Sequence, residues 1–170
     1  PAVVFWQIDE RYQIHRGKVM WYKPDGHREK YPDGHGMIKS MWQILGRNRE
    51  QEPDMCYFGQ HLISLHPNKP IAIVESEKTC IIASYAIEDY NWIATMSINN
   101  FQTHRLGFLQ GYKGDVYVFP DCDGFDAWTE RTAIIKRLMP ELNIKVNSFI
   151  RRYGQGKEDL ADVFLRWGRE

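Results

Sequence analysis

The sequence predicts an α/β fold in which a mostly parallel sheet is flanked by helices and preceded by a small β-rich subdomain. Residues 71–74 and 116–119 are continuously apolar, which is typical of parallel strands that are buried on both faces. Helix-like sequence follows each of these runs, and acidic residues stand where each run ends. The first 58 residues lack this alternation and are typical of strands joined by turns.

The β-rich subdomain is predicted to span residues 1–58, and the α/β domain residues 59–170. Residues 3–8 and 13–22 are rich in β-branched and aromatic side chains, so we expect them to form strands. Residues 37–45 carry apolar side chains at helical spacing, which predicts a short helix.

The α/β domain alternates between predicted strands and predicted helices. We expect strands at residues 71–74, 90–95, 115–119 and 144–150, and helices at residues 77–88, 125–138 and 156–167. This order of elements indicates parallel strands joined by crossover helices that cover both faces of the sheet.

The composition agrees with one well-packed domain and a small appendage in a chain of 170 residues. Hydrophobic residues make up 43% and aromatic residues 14%, which argues against intrinsic disorder. Lys and Arg together number 22, as do Asp and Glu, so the net charge is zero. This balance does not indicate a generic cationic nucleic-acid surface, although it is compatible with a basic groove beside an acidic site.

The three cysteines are Cys56, Cys80 and Cys122, and no two of them form a Cys-x-x-Cys motif. Neither a disulfide framework nor a zinc knuckle is therefore predicted. This usage favours a reducing compartment, so we expect a cytoplasmic protein. No stretch approaches the roughly 20 apolar residues of a membrane-spanning helix, and we expect no membrane partner.

Acidic residues follow two of the predicted core strands. Glu75 comes directly after residues 71–74, and Asp121 and Asp123 follow residues 116–119. Neighbouring strands lie about 4.8 Å apart, and open α/β sheets bind ligands at their carboxyl ends, so we expect the three carboxylates to share one crevice. Carboxylates about 4 Å apart repel by roughly 1 to 4 kcal/mol per pair, which a divalent cation would offset. Mg²⁺ is the predicted cation, or Mn²⁺ in its place.

Two further acids, Asp159 and Asp162, lie opposite the apolar stripe of the last predicted helix. Both are candidates to add to the acidic cluster, and Asp159 is predicted to be a further metal ligand. The alternative is that Asp159 and Asp123 cap the helices that begin after them. Glu75 likewise has an alternative role, a favourable interaction with the amino end of the following helix.

The pattern of an apolar strand ending in Glu75, a helix, and a later strand ending in Asp121-x-Asp123 resembles the Toprim domain of primases, type IA and type II topoisomerases and related nucleases. Residues 157–162 (KEDLAD) are similar to the acidic motif that closes this domain in bacterial-type primases. The Toprim resemblance covers about residues 68–168 and implies a Toprim-like sheet.

Three further segments carry a closer resemblance. Residues 5–9 (FWQID), 17–20 (GKVM) and 74–79 (VESEKT) resemble a poorly characterised family of Toprim-like, primase-related proteins of mobile elements. This resemblance covers nearly the whole chain. Similar proteins have a glycine-rich loop after the second strand, where this chain has residues 96–100 (MSINN).

The resemblance implies metal-dependent nucleotidyl or phosphoryl transfer on nucleic acid, most closely of the DNA primase type. In that reaction Glu75 would be a general acid or base or a metal ligand, and Asp121 and Asp123 would bind Mg²⁺. The implied partners are single-stranded DNA or RNA, nucleotides, and a helicase or other replication protein. Two alternatives stay open: a Toprim nuclease, and a catalytically degenerate domain that binds nucleic acid or a replication partner.

Four cations stand near the predicted site, and any of them is a candidate for binding phosphate oxygens. These cations are Lys78, Arg105, Arg151 and Arg152. The alternative for each is a solvated surface charge.

Overall fold

The computed structural model of the protein describes residues 1–24 and 26–168. These residues form an antiparallel sheet of three strands, followed by a parallel sheet of four strands with helices packed on both faces. The predicted fold class is thereby confirmed.

The amino-terminal sheet contains β1 (Ala2–Ile8), β2 (Ile14–Trp21) and β3 (Ile38–Ser40), paired in that order. Phe5 of β1 and Met20 of β2 are buried on the same face of this sheet. The prediction of a helix over residues 37–45 is wrong in its first half, because residues 38–40 pair with β2 as an edge strand. Only α1 (Met41–Ile44) is helical, and the Ser40 side chain caps it.

The parallel sheet has the strand order β5-β4-β6-β7. All residues of β4 and β5 are buried, which explains the continuously apolar sequence of β4. The strands are β4 (Ile71–Val74), β5 (Asn91–Ala94), β6 (Val116–Val118) and β7 (Ile144–Val146).

Helices cover this sheet on two sides, because alternate strand residues point to opposite faces. Ile71 and Ile73 pack in one core with Trp128 and Ile135 of α4 (Phe125–Leu138). On the opposite face, Ala72, Val74 and Trp92 of the strands pack in a second core. The helix residues of this core are Cys80 and Ala83 of α3 (Glu77–Ala86) and Leu160 of α6 (Leu160–Trp167). Two shorter helices, α2 (Leu62–Leu65) and α5 (Phe149–Tyr153), complete the layers. Within the described ranges, no helix is both long enough and apolar enough to cross a bilayer.

The chain departs from the prediction after β7, where a strand is expected over residues 144–150. The strand ends at Val146, since the Asn147 side chain accepts a hydrogen bond from the Phe149 backbone at 2.8 Å and turns the chain into α5. The last helix begins at Leu160 rather than at residue 156, because Asp159 is its N-cap.

Several contacts join residues 1–58 to the parallel sheet and to α3. Phe58 and Ala94 exchange backbone hydrogen bonds of 3.1 and 2.9 Å along the free edge of β5. Lys18 Nζ lies 2.8 Å from Glu77 Oε2, and the Glu77 side chain is 2% exposed. The Gln7 side chain donates to Met96 Sδ at 3.0 Å. A domain boundary between residues 58 and 59 stays a prediction.

Candidate active site

The strands that carry the candidate acids are direct neighbours. Ile73 of β4 lies opposite Val118 of β6, and the Phe119 backbone N–H donates to the Ile73 carbonyl at 2.8 Å. Glu75 directly follows β4, and Asp121 follows Phe119 by two residues. Both acids therefore leave the sheet at the same carboxyl edge.

A tight turn carries the second acid pair into α4. The Gly124 N–H donates to the Asp121 carbonyl at 3.2 Å, and Gly124 is the N-cap of α4. No side chain caps α4, so the interpretation of Asp123 as a helix cap is wrong. The Cys122 N–H donates to the Glu158 carbonyl at 3.0 Å, which brings the start of α6 against this turn.

The electrostatics of Asp121 indicate how closely the acids converge. Burial is the main cause that raises the pKa of Asp121 to about 7. Nearby negative charges raise this pKa further, and they belong to Asp159, Glu75, Asp123 and Asp162. Four acids, from the segment after β4, the Asp121–Gly124 turn and the start of α6, thus act electrostatically on Asp121.

Asp159 has a structural role that the sequence analysis left as an alternative. Its Oδ1 accepts a hydrogen bond from the Asp162 backbone N–H at 2.9 Å, and Asp162 Oδ2 accepts one from the Asp159 backbone N–H at 3.1 Å. The two bonds form a capping box. Its Oδ2 accepts the Thr79 hydroxyl at 2.7 Å. The predicted N-cap is confirmed, whereas ligation of a metal by Asp159 stays a prediction.

Lys78 is the candidate cation that joins the acidic cluster. Its Nζ lies 3.4 Å from Asp162 Oδ1 and 3.6 Å from Asp159 Oδ2. Because Lys78 extends from the first turn of α3, it links the helix after β4 to the cap of α6.

The three arginines contact residues other than the five acids. Arg151 pairs with Asp126 in the first turn of α4, and its guanidinium lies 4.4 Å from the centre of the Phe125 ring. The Arg152 guanidinium lies 5.2 Å from the Tyr153 ring centre. Arg105 donates to the Met55 carbonyl at 3.4 Å and lines a separate cavity, together with Asp9, Glu10 and His15. Phosphate binding by these cations stays a prediction.

The donor set of the cluster suits a hard cation, since it consists of carboxylate oxygens. In the described part of the chain, no three or more His, Cys, Asp or Glu side chains are arranged to ligate one metal ion. Mg²⁺ does not need such a protein cage, because it is commonly held by one or two carboxylates and completes its shell with water and phosphate oxygens. The chemistry of the residues present fits Mg²⁺, and binding of Mg²⁺ by them stays a prediction.

Sequence reasoning missed two polar residues of this site. Trp128 lies in the helix predicted over residues 125–138, and its indole N–H donates to Glu75 Oε2 at 3.3 Å. Thr79 holds Asp159 as described above. The spacing Gly124-x-x-x-Trp128 places the indole one helical turn beyond the turn that carries Asp121, but it gives no signal for the bond to Glu75.

A groove opens beside the acidic cluster, between the amino-terminal sheet and helices α3 and α6. Its volume is about 730 Å³, and Lys78 and Asp162 belong to both the groove and the cluster. Apolar and aromatic side chains line most of the remainder: Val3, Phe5, Tyr22, Ile81, Ile82 and Leu165.

The fold is similar to two structures of bacteriophage T7 proteins. The primase fragment of the T7 primase-helicase protein superposes with a TM-score of 0.59 at 14% identity, over 98% of this chain and 59% of that chain. The second comes from T7 lagging-strand DNA polymerase interacting with primase domains bound to an RNA/DNA hybrid and dTTP, with a TM-score of 0.59 at 15% identity. It covers 98% of this chain and 72% of that chain. The fold is therefore primase-like, in a chain that spans 59% of the length of the T7 primase fragment.

Comparison by sequence gives one family. No curated protein matches the sequence. The model of a domain of unknown function, DUF6371, matches residues 1–122, which include the amino-terminal sheet and both strand ends that carry Glu75 and Asp121. The match covers well over half of the sequence, and the chain therefore belongs to the DUF6371 family.

Proposed function

We propose that this protein is a Toprim-like, primase-related domain of mobile-element origin that carries out metal-dependent nucleotidyl transfer on nucleic acid, in the manner of a DNA primase. The observation that carries the proposal is the convergence of Glu75, Asp121 and Asp123 at one carboxyl edge of a parallel sheet in a primase-like fold. Acids at such an edge are where α/β folds bind ligands.

Asp121 and Asp123 are the residues that would hold Mg²⁺ or Mn²⁺, with Glu75 beside them. When bound, the cation would stabilise the negative charge that develops on the transferred phosphoryl group. Glu75 is then a candidate to accept or return the proton of the attacking hydroxyl group. Lys78 holds Asp159 and Asp162 by ion pairs, which keeps the amino end of α6 beside the site.

The proposed substrates are single-stranded DNA or RNA and nucleotides. The groove between the amino-terminal sheet and α3 supports this assignment, because it combines apolar and aromatic walls with the cation Lys78. Aromatic faces stack on bases without regard to sequence, and cations bind the backbone. A helicase or another replication protein is the proposed partner, on the analogy of the T7 primase-helicase protein.

The decisive experiment exchanges both acids of the turn for their amides. Because Asp121→Asn with Asp123→Asn removes two oxygen-anion ligands, we expect Mn²⁺ uptake and primer synthesis to be lost while the circular-dichroism spectrum is unchanged. Asp115→Asn is the matched control, since Asp115 lies before β6, at the opposite edge of the same sheet. Equal Mn²⁺ uptake by the double variant and the control, measured by calorimetry, would refute the site.

One observation favours a second candidate, a degenerate domain that binds nucleic acid without catalysis. Met96 stands where similar proteins begin a glycine-rich loop, and its φ of 66° is a left-handed conformation that favours glycine. Incubating the protein with labelled single strands and Mg²⁺, with and without nucleotides, separates the candidates. Extension indicates a primase, cleavage a nuclease, and binding without turnover the degenerate domain.

A further inference from the structure

Trp128 makes an unusual contact for a core residue. It is 1% exposed and lies near the start of α4. There it packs in one core with Ile73 of β4 and Val118 of β6. Its indole Nε1 donates to Glu75 Oε2 at 3.3 Å, across 53 residues of sequence. A buried indole N–H needs an acceptor, and here the acceptor is a carboxylate of the candidate site.

Packing fixes the indole ring on two other sides. The Phe101 ring, from the loop after β5, lies with its centre 5.0 Å from that of Trp128. At Gly124, a β-carbon would lie only 3.1 Å from Trp128 Cδ1 and 3.4 Å from Nε1, so a side chain there would press on the indole edge that makes the bond. The Trp128 backbone also donates to the Gly124 carbonyl at 3.0 Å. One ring thus contacts residues that follow β4, β5 and β6.

We propose that Trp128 is a positioning residue that holds the Glu75 carboxylate in register with the Asp121–Gly124 turn. This inference rests on the proposed metal-dependent function. The indole bond engages one of the two Glu75 oxygens, which limits rotation of the carboxylate and leaves the other oxygen for the cation or the transferred proton. Partners that orient ligating carboxylates typically change metal affinity or activity about 10- to 100-fold when they are removed.

Trp92 provides an internal comparison for the role of a buried indole. It is 0% exposed, and its Nε1 donates to the Ile87 carbonyl at 2.8 Å, on the face of the sheet that packs against α3 and α6. That bond satisfies the indole within the core and involves no acid. The two tryptophans therefore have equal burial and equal hydrogen-bond number, but only Trp128 reaches the acidic cluster.

The first test compares Trp128→Phe with Trp92→Phe. Each variant loses the same volume and one buried N–H donor, so we expect similar falls in melting temperature. Only Trp128→Phe should lower kcat and Mn²⁺ affinity, by about tenfold or more, with the KM for nucleotide unchanged. If Trp128→Phe binds Mn²⁺ and turns over as well as Trp92→Phe, the inference is wrong although the proposed function survives.

The second test uses the intact chain and does not depend on the folding of a tryptophan variant. The indole N–H signals of the ¹⁵N-labelled protein are followed by NMR during addition of Mg²⁺ and after the exchange Glu75→Gln. We expect both changes to move the Trp128 signal and neither to move that of Trp92. A Trp128 signal that stays fixed while calorimetry records Mg²⁺ binding overturns the inference alone, whereas absence of Mg²⁺ binding overturns the proposed function and the inference with it.

Discussion

Asp121 is held by the fold in an environment that disfavours its charge. Burial, together with the four acids around it, raises its pKa from 3.8 to about 7. Between these two values the folded state binds more protons at this site than the unfolded state does. The free energy of unfolding therefore falls as the pH rises from about 4 to about 7, which is the reverse of the usual behaviour of a carboxylate.

This sign predicts that Asp121→Asn stabilises the protein in the absence of metal. Because the amide carries no charge, we expect the variant to be more stable than the original chain at pH 7.5 by roughly 1 to 3 kcal/mol, after allowance for solvent screening, and nearly equal to it at pH 4. Urea unfolding at both pH values, with EDTA present, measures the difference. A variant that is less stable than the original chain at pH 7.5 would show that the folded state does not disfavour the charge of Asp121.

Sequence reasoning at this scale identified the acids but not their contacts. The apolar runs before Glu75 and Asp121 predict two buried strands, and these strands are direct neighbours in the sheet. The indole bond to Glu75 was not predictable, because it depends on how deeply α4 lies against the sheet. Pattern gives the face of a helix, whereas packing distance decides which atom reaches a neighbour.

Helix α6 depends on a cap that also touches the candidate site. Asp159 accepts the Asp162 N–H and the Thr79 hydroxyl, so truncation to Ala removes both bonds. We expect Asp159→Ala to lower the free energy of unfolding by about 1 to 2 kcal/mol and Asp159→Asn to lower it much less, because Asn is an equally good N-cap. Chemical denaturation of the two variants measures this contrast.

The same pair of variants tests ligation by Asp159. If Asp159 binds the metal as predicted, Asp159→Asn should lose Mn²⁺ affinity in calorimetry despite its near-normal stability, because an uncharged amide is a weaker ligand for a hard cation. Unchanged affinity in Asp159→Asn would leave Asp159 as a cap only.

Helix α3 shows why the faces of elements are hard to assign from sequence. Its larger apolar residues, Ile81 and Tyr85, are 48% and 88% exposed, whereas Cys80 and Ala83 are buried. Small side chains face inward here because α6 packs closely against α3, and α6 comes from a distant part of the chain. Hydrophobic spacing within residues 77–86 carries no information about that partner.

A largely buried ion pair joins the amino-terminal sheet to the helix that follows β4. Lys18 of β2 pairs with Glu77, at the start of α3, and the Glu77 side chain is almost fully enclosed. Lys18→Met leaves that carboxylate without its counter-ion, and we expect a loss of about 3 kcal/mol. Adding Glu77→Gln should restore part of the loss, because it removes the uncompensated charge. Thermal unfolding of both single variants and the double variant gives the coupling, and additive losses would contradict it.

At the scale of the whole molecule, the parallel sheet was predictable and the assembly of the two sheets was not. Strands and helices alternate in a way that local pattern can detect, and that alternation specified the parallel sheet. The contact Lys18–Glu77 joins residues 59 positions apart, and Gln7–Met96 joins residues 89 positions apart. The sequence around each of these residues does not indicate which distant residue it contacts. The groove beside the acidic cluster lies between the amino-terminal sheet and helices α3 and α6, so it could not be predicted from the sequence either.

The backbone bridge between Phe58 and Ala94 has a protective consequence. β5 is the outermost strand of the parallel sheet, and this bridge occupies part of its exposed rim of N–H and carbonyl groups. Strand rims left open recruit other chains and promote aggregation. A shortened protein that begins at residue 60 would uncover this rim, and we expect light scattering to detect self-association that the longer chain does not show. The amino-terminal segment would in that case protect the edge strand β5 from aggregation, in addition to any contribution to catalysis.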